Sequence, residues 1–205
     1  MTTLLIILII VAAAGVAYWV WKGVKEKQRA EHDKYNAPQD PFADGDSDIL
    51  RGNPRTIAAG DMIEVYGKTV AVRGSLRLRE GDYTWAEHFL DTGTGVKRWL
   101  SVEADPDLEI VLWDQIPIAD MEPGASSVEH EGEKFRLDES GKAKYTSEAT
   151  TGLAENGTVR YHDYRGPEGK LISFEAFGED GSWEAGLGLT LDRNQITIFH
   201  QNPDT

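Results

Sequence analysis

The segment Ile63–Leu78 reads IEVYGKTVAVRGSLRL, and it decides the fold class of the chain. Apolar and polar side chains alternate along it on both sides of a turn at Gly67-Lys68. Alternation with a period of two around a glycine turn is typical of a β-hairpin that buries one face. We therefore predict an antiparallel hairpin at this point of the chain.

Further alternating segments follow as far as Gln201, separated by glycine-rich turns. The turns are expected at Gly93–Gly95, Gly166–Gly169 and Asp180-Gly181. The expected strands contain the strings WAEHFL, RWLSVE, EIVLW, RYHDYR, ISFEAF and ITIF. No segment of this region has the 3.6-residue period of an amphipathic helix. The sequence thus predicts an all-β domain over residues 57–201.

The two halves of this domain resemble each other. The string IEVYGKTV resembles VEHEGEKF, which starts at Val128, and WAEHFLDTGTGVKRWL resembles ISFEAFGEDGSWEAG. This alignment matches Glu87 with Glu175 and Trp99 with Trp183. It predicts an internal duplication, with two similar antiparallel β units packed as a sandwich or a barrel. Chance likeness between hairpins is the alternative.

The residues Leu4–Trp21 form an uncharged run of 18 residues at the start of the chain. As a helix this run would be about 27 Å long, close to the roughly 30 Å of a bilayer's hydrocarbon core. It lacks the basic start and the small-residue cleavage site of an export signal. We predict a single transmembrane helix over residues 1–21, which would anchor the protein in the cell membrane.

The flanks of this run predict its orientation. No Lys or Arg precedes it, whereas Lys22, Lys25, Lys27 and Arg29 follow it. The positive-inside rule then places the N-terminus outside and the C-terminal domain in the cytoplasm. We read residues 22–56 as a juxtamembrane helix and a flexible acidic linker, and residues 202–205 as a tail.

Charge and composition narrow the range of functions. Residues 36–205 hold 16 basic and 32 acidic side chains, which argues against a nucleic-acid partner. The chain has no cysteine, so thiolate chemistry is excluded. The five histidines show no metal-ligand spacing, and Gly93–Lys97 is too short for a phosphate loop. We expect no metal, no cofactor and no catalytic constellation.

Five residues are candidates for a ligand site. Glu87 and Glu175 could share a proton or hold a cation if the two halves bring them together. Trp85, Trp99 and Trp183 could provide a stacking surface for a small-molecule ligand. The alternatives are a structural Glu, bonded to backbone or to an arginine such as Arg98, and tryptophans that belong to the core.

A resemblance to a known family rests on a series of short motifs. GDMIEVYG, WAEHFL, WLSVE, VEHEGEKFRL, YHDYR, SFEAFG and WEAG resemble the family catalogued as domain of unknown function 4178. The resemblance covers residues 57–201 and implies a bacterial protein in a membrane-associated setting. It implies no activity and no catalytic residue.

Three functions are compatible with these observations. The first is a membrane-tethered β module that binds or scaffolds at the cytoplasmic membrane face. The second is an enzyme that uses Glu87 and Glu175 on a cationic small molecule. The third is a subunit that assembles with a membrane-protein partner through the helix Leu4–Trp21.

Overall fold

The computed structural model describes residues 50–104 and 107–201. The predicted membrane anchor, most of the predicted linker and the tail lie outside the described residues. Within the two described ranges, no helix is long and apolar enough to cross a membrane.

The described residues form an all-β domain, as the sequence predicts. Short 3₁₀ turns occur at Pro54–Thr56, Pro167–Gly169 and Arg193–Gln195. The strands are, in chain order, Met62–Val65 (β1), Lys68–Glu80 (β2), Tyr83–Asp91 (β3), Arg98–Glu103 (β4), Glu109–Ile116 (β5), Ser127–His130 (β6), Glu133–Ala149 (β7), Asn156–Arg165 (β8), Lys170–Phe177 (β9), Glu184–Thr190 (β10) and Ile196–Phe199 (β11).

Eight of these strands close into an antiparallel barrel. The sheet runs in the order β11-β1-β2-β3-β4-β5-β10-β9-β8-β7-β6, and β2 pairs with β7 as well as with β3. This extra pairing joins β2, β3, β4, β5, β10, β9, β8 and β7 into a ring. Closure gives every strand of the ring a partner on each side, and the short strands β11 and β6 form the ends of the sheet.

The closure depends on a close approach between β2 and β7. The register of β2 shifts between Val72 and Gly74, and β2 pairs with β7 from Gly74 onward. A Cβ atom at Gly74 would lie 2.6 Å from the backbone carbonyl carbon and oxygen of Thr150. Only a residue without a side chain allows the two backbones to come this close.

Most of the apolar core lies outside the barrel wall, beneath two sets of strands that we call the flaps: β1 with β11, and β6. The hairpin strand β1 and its partner β11 cover the outer face of β4 and β5, and β6 covers β8 and β9 on the other side. The first outer cluster contains Ile57, Ile63, Val65, Val72, Leu90, Leu100, Val102, Ile110, Leu112, Leu191, Ile196 and Ile198. The second outer cluster contains Met121, Val128, Phe135, Tyr164, Ile172, Phe174 and Ala185.

The sequence placed most strands correctly but missed most of β7. The turns expected at Gly166–Gly169 and Asp180-Gly181 join β8 to β9 and β9 to β10, while the first hairpin turns at Tyr66-Gly67, one residue earlier than expected. β7 runs for 17 residues with mostly polar, exposed side chains. Its few buried residues give too weak an alternation to be recognised.

The order of the strands corrects the alignment of the two halves. In the ring, the pairings β2-β3-β4-β5 correspond to β7-β8-β9-β10. β3 therefore corresponds to β8, whereas the alignment of Glu87 with Glu175 matches β3 with β9. That alignment is therefore displaced by one strand.

Candidate functional site

The inner faces of the barrel strands carry polar and aromatic side chains. On β3, Trp85, Glu87 and Phe89 point inward, and the alternate residues His88 and Leu90 point outward. Because successive side chains on a strand point to opposite faces, one strand contributes to both the cavity and the outer core.

The barrel encloses a cavity of about 470 Å³, within the range typical of small-molecule sites. Its inner wall includes the side chains of Tyr83, Trp85, Glu87, Phe89, Trp99, Ser101, Val111, Trp113, Tyr161, Asp163, Ser173, Glu175 and Phe177. One part of the interior is filled, because Leu76, Leu78, Ala143, Tyr145 and Val159 pack together there.

Glu87 and Glu175 meet inside this cavity. Their carboxyl groups are hydrogen-bonded to each other, so one of the two must carry a proton. The indole Nε1 of Trp85 donates a second hydrogen bond to Oε1 of Glu87 at 3.1 Å. Burial raises the pKa of Glu87, and the hydrogen bonds from Trp85 and Glu175 oppose that rise.

Glu175 has the more strongly raised pKa of the two. Burial, and then the negative charges of Glu87 and Asp163, raise the pKa of Glu175 well above its ordinary value. A protonated Glu175 can donate its hydrogen to the ionised Glu87. The pair is therefore an acid and a base held in contact.

A third carboxyl group lies on the same wall. Asp163 on β8 is hydrogen-bonded to its cross-strand neighbour Ser173 on β9. Burial and the charge of Glu87 raise the pKa of Asp163 to about 7, although the Ser173 hydroxyl opposes the rise. Among the described residues, no ion pair joins a lysine or arginine to any of these three carboxyl groups.

The two ends of the cavity differ in charge. We call one of them the acidic end, which is lined by Glu103, Glu109, Asp138, Glu139 and Asp163. The one cation that lines it, Arg165, bonds to Asp138 at 2.6 Å. At the opposite end lie Arg73 and Lys97, and the Lys97 Nζ is 3.0 Å from Glu184.

Four of the five predicted site residues line this cavity. The structure brings together Trp85, Glu87, Trp99 and Glu175, and places Trp99 with its ring 5.0 Å from that of Phe89. The two glutamates meet because β3 and β9 both face the barrel interior. Their function as ligand-binding residues stays a prediction.

Trp183 does not belong to this site. It precedes β10 and packs against the second outer cluster, with its ring 4.9 Å from His162 and 5.1 Å from the guanidinium carbon of Arg160. The hypothesis that Arg98 neutralises Glu87 is also wrong, because Arg98 binds both carboxylate oxygens of Asp114 at 2.6 and 2.7 Å.

Sequence reasoning missed Tyr83, Tyr161 and Asp163. Tyr83 could have been found by counting two residues back from Trp85 on the same strand face. Asp163 directly follows His162, and neighbouring side chains on a strand point to opposite faces, so the two cannot act as a dyad. The structure confirms that separation, but it places Asp163 on the cavity side.

The described residues contain no group of three or more His, Cys, Asp or Glu side chains arranged to hold a metal ion. Between its two ends, the polar groups of the cavity are instead carboxyls, hydroxyls and indole N–H groups beside aromatic rings. Such a lining suits an organic ligand with a positive charge.

The fold and the cavity define a class: a closed antiparallel β-barrel with an acidic, aromatic interior and an apolar outer shell. The sequence matches the family model described as domain of unknown function (DUF4178) over residues 58–193, and the chain belongs to that family. It is similar to uncharacterized proteins of Mycobacterium bovis and Mycobacterium tuberculosis. Each is 34% identical over 156 residues, which cover 73% of this chain and 75% of the relative. No solved structure matches.

Proposed function

We propose that this protein is a binding module that holds a small organic cation inside its barrel. The observation that carries the proposal is the contact between Glu87 and Glu175 at the wall of a cavity, without a cationic partner from the described residues. Buried carboxylates are costly unless they are paired or hydrogen-bonded. A bound cation would supply the missing charge.

The charge distribution favours entry of such a ligand at the acidic end. The acidic end carries five carboxyl groups, and the one arginine that lines it, Arg165, binds Asp138. An acidic cleft concentrates cations and speeds their association. The chain's net charge of −14 acts in the same direction.

The test is a titration of the full-length chain in detergent with benzylammonium, benzyltrimethylammonium and the neutral benzyl alcohol. Trp85, Trp99 and Trp113 line the cavity, so tryptophan fluorescence reports its occupation. We expect at least one of the cations to bind and the alcohol to bind at least about tenfold more weakly, because it offers the carboxylates no charge.

Matched variants locate the site. Glu87→Gln should weaken cation binding roughly tenfold, because it removes the buried negative charge that the cation would balance. Glu129→Gln, on the exposed face of β6, is the control and should leave it unchanged. Binding of benzyl alcohol as tight as that of both cations, or no effect of Glu87→Gln, would overturn the proposal.

A second candidate function is an enzyme acting on a cationic small molecule, favoured by the acid and base held in contact at Glu175 and Glu87. The two functions are separated by incubating the protein with cationic metabolites and analysing them by mass spectrometry. A binding module returns every ligand unchanged. A product that Glu175→Gln abolishes would support the enzyme instead.

We further propose that the helix predicted over Leu4–Trp21 tethers the module to the membrane, with the barrel on the cytoplasmic side. Its 18 uncharged residues and the basic cluster after them support this location. Full-length chain should resist extraction with alkaline carbonate. Protease added to the cytoplasmic side should cleave the linker, and protection there would contradict the orientation.

The same helix could recruit a membrane-protein partner, as the third function requires. Replacing Leu4–Trp21 with an unrelated leucine-rich helix keeps the tether and removes any specific helix contacts. Loss of co-purifying partners after this exchange would support recruitment through the helix. Complexes that persist would place the contact elsewhere.

We also infer that the barrel arose by duplication of a five-strand unit, β1–β5 and β6–β10. Both units begin with a hairpin whose turn residues have positive φ, Tyr66-Gly67 and Glu131-Gly132. In both, the second strand changes register six residues after the turn glycine, at Arg73 and at Asp138. The constant offset of 65 residues supports a common origin.

A further inference from the structure

We infer that the ligand of this cavity carries a methylated, quaternary ammonium group, and that Tyr83, Trp85 and Tyr161 bind it at the acidic end. The inference rests on the proposed function, because it specifies the cation that the barrel would hold. It comes from the arrangement of three aromatic rings and from the hydrogen bond that the polar atom of each ring already donates to a carboxylate.

The ring of Trp85 lies beside the rings of Tyr83 and Tyr161 and is inclined to both. The ring of Trp85 is 6.1 Å from that of Tyr83, at 54°, and 5.9 Å from that of Tyr161, at 72°. All three line the cavity. Inclined rings around a shared space can each present part of a face to one cation, which is how aromatic cages bind quaternary ammonium groups.

The polar atom of each ring is already bound to a carboxylate. The Tyr161 hydroxyl donates to Glu80 at 2.5 Å, the Tyr83 hydroxyl donates to Glu103, and the Trp85 indole donates to Glu87. A ligand therefore meets the carbon faces of the rings and not free hydroxyls. Phenol groups that donate to carboxylates also have faces richer in electrons, which strengthens attraction to a cation.

This arrangement discriminates between classes of ammonium ion. A primary ammonium has three N–H donors that need hydrogen-bond acceptors, and the carbon faces of the three rings offer none. A quaternary ammonium has no N–H donor and needs no such acceptor. Its methyl groups contact the rings, while Glu103 and Glu139 supply long-range negative charge.

A glycine on β7 makes the Tyr161 position possible. A Cβ atom at Gly141 would lie 2.5 Å from both the Tyr161 hydroxyl and the Glu80 carboxylate. Any side chain there would displace the ring or the carboxylate that holds it. Gly141→Ala therefore offers a way to disturb the cage without removing any of its rings.

The experiment compares benzyltrimethylammonium with benzylammonium by isothermal titration of the full-length chain. The two probes share a ring and a charge and differ in their N–H donors. We expect the quaternary probe to bind at least about tenfold more tightly. Equal or tighter binding of benzylammonium would overturn the inference and leave the proposed function intact, whereas failure of both probes to bind would overturn both.

Variants of Tyr83 test the cage itself, since this residue is 39% exposed and its replacement should not prevent folding. Tyr83→Leu should weaken the quaternary probe roughly two- to fivefold, the size of an exposed cation–π contact. Tyr83→Phe keeps the ring and should lose clearly less binding of this probe than Tyr83→Leu does. Tyr66→Leu, at the exposed turn of the first hairpin, is the control.

Two further outcomes decide the role of the rings. Equal losses in Tyr83→Leu and Tyr83→Phe would assign the effect to the hydroxyl and contradict the cage. Gly141→Ala should reduce binding of the quaternary probe while circular dichroism shows an unchanged β spectrum. A Gly141→Ala protein that folds and binds this probe as before would contradict the placement of Tyr161 in the cage.

Discussion

The inner and outer faces of β3 show how this barrel separates stability from function. Outward, Leu90 is fully buried in the first outer cluster, and His88 is equally buried beside Ser75. Inward, Glu87 and Phe89 border an open cavity. Small barrels usually fill their interior with apolar side chains. Here the flaps move most of the apolar packing to the outside, which leaves the interior free to be polar.

The two faces also bury ionisable groups of opposite behaviour. The imidazole of His88 donates or accepts a hydrogen bond with the Ser75 hydroxyl at 2.8 Å, and its Nε2 has no partner among the described residues. Burial, and then the positive charge of Arg77, lower the pKa of His88 to about 3. On the inner face, burial raises the pKa of Asp163. On the outer face, His88 therefore stays unprotonated to a lower pH than a free histidine. On the inner face, Asp163 keeps its proton to a higher pH than a free aspartic acid.

The largest expected difference between the faces is in packing. Phe135 is fully buried in the second outer cluster, so Phe135→Ala should lower the free energy of unfolding by about 3–5 kcal/mol. Phe89→Ala, at the cavity wall, is the matched variant and should cost less, because its ring already borders open space. Urea denaturation measures both. Equal losses would contradict the claim that the outer clusters dominate stability.

The next effect concerns acid unfolding and His88. Between pH 6.5 and about 3 the unfolded chain binds a proton that the folded protein excludes, so stability should fall as the pH is lowered through this window. The slope for one such group is at most about 1.4 kcal/mol per pH unit. His88→Gln keeps a hydrogen-bonding partner for Ser75 and should flatten this slope. Unfolding curves at several pH values measure this slope for both proteins. If His88 were not responsible, the free energy of unfolding of His88→Gln would depend on pH as that of the unchanged protein does.

Asp163 should have the opposite and smaller effect. Between pH 4 and about 7 the folded protein keeps a proton that the unfolded chain has released, so this residue lowers stability as the pH rises. Asp163→Asn should make the protein relatively more stable at pH 7 than at pH 4. The slope for this one group is at most about 1.4 kcal/mol per pH unit, and its pKa shift, from 3.8 to about 7, is slightly smaller than that of His88. A variant whose profile matches the unchanged protein would contradict the assignment.

The smallest effect is expected on the barrel surface. Arg98 and Asp114 are cross-strand neighbours whose side chains are about a third or more exposed. Arg98→Met removes the positive charge of this ion pair and should change the free energy of unfolding by about 0–1 kcal/mol. It should also leave cation binding unchanged, since Arg98 does not contact Glu87. Thermal unfolding measures the first effect and the fluorescence titration the second. A large loss of binding would support an ion pair between Arg98 and Glu87 after all.

The candidate site was predicted in part, and partly through a wrong alignment. Glu87 and Glu175 are candidates because the alignment of the two halves pairs them. That alignment matches β3 with β9, which the strand order contradicts. They nevertheless meet, because both strands place their carboxyl groups on the inner face of one ring. Trp183 came from the same alignment and fails, since it lies before its strand and packs outside. No local pattern distinguishes it from Trp85.

The sequence alone determined the local features of this protein: the all-β class, most of the strands, the glycine turns and the family. These depend on alternation and turn chemistry between residues close in the chain. Tertiary structure decided which face of each strand lines the interior, because alternation shows that two faces differ without telling which is inside. It also decided that Glu87 would meet Glu175, since that contact exists only after β2 has paired with β7 and closed the ring.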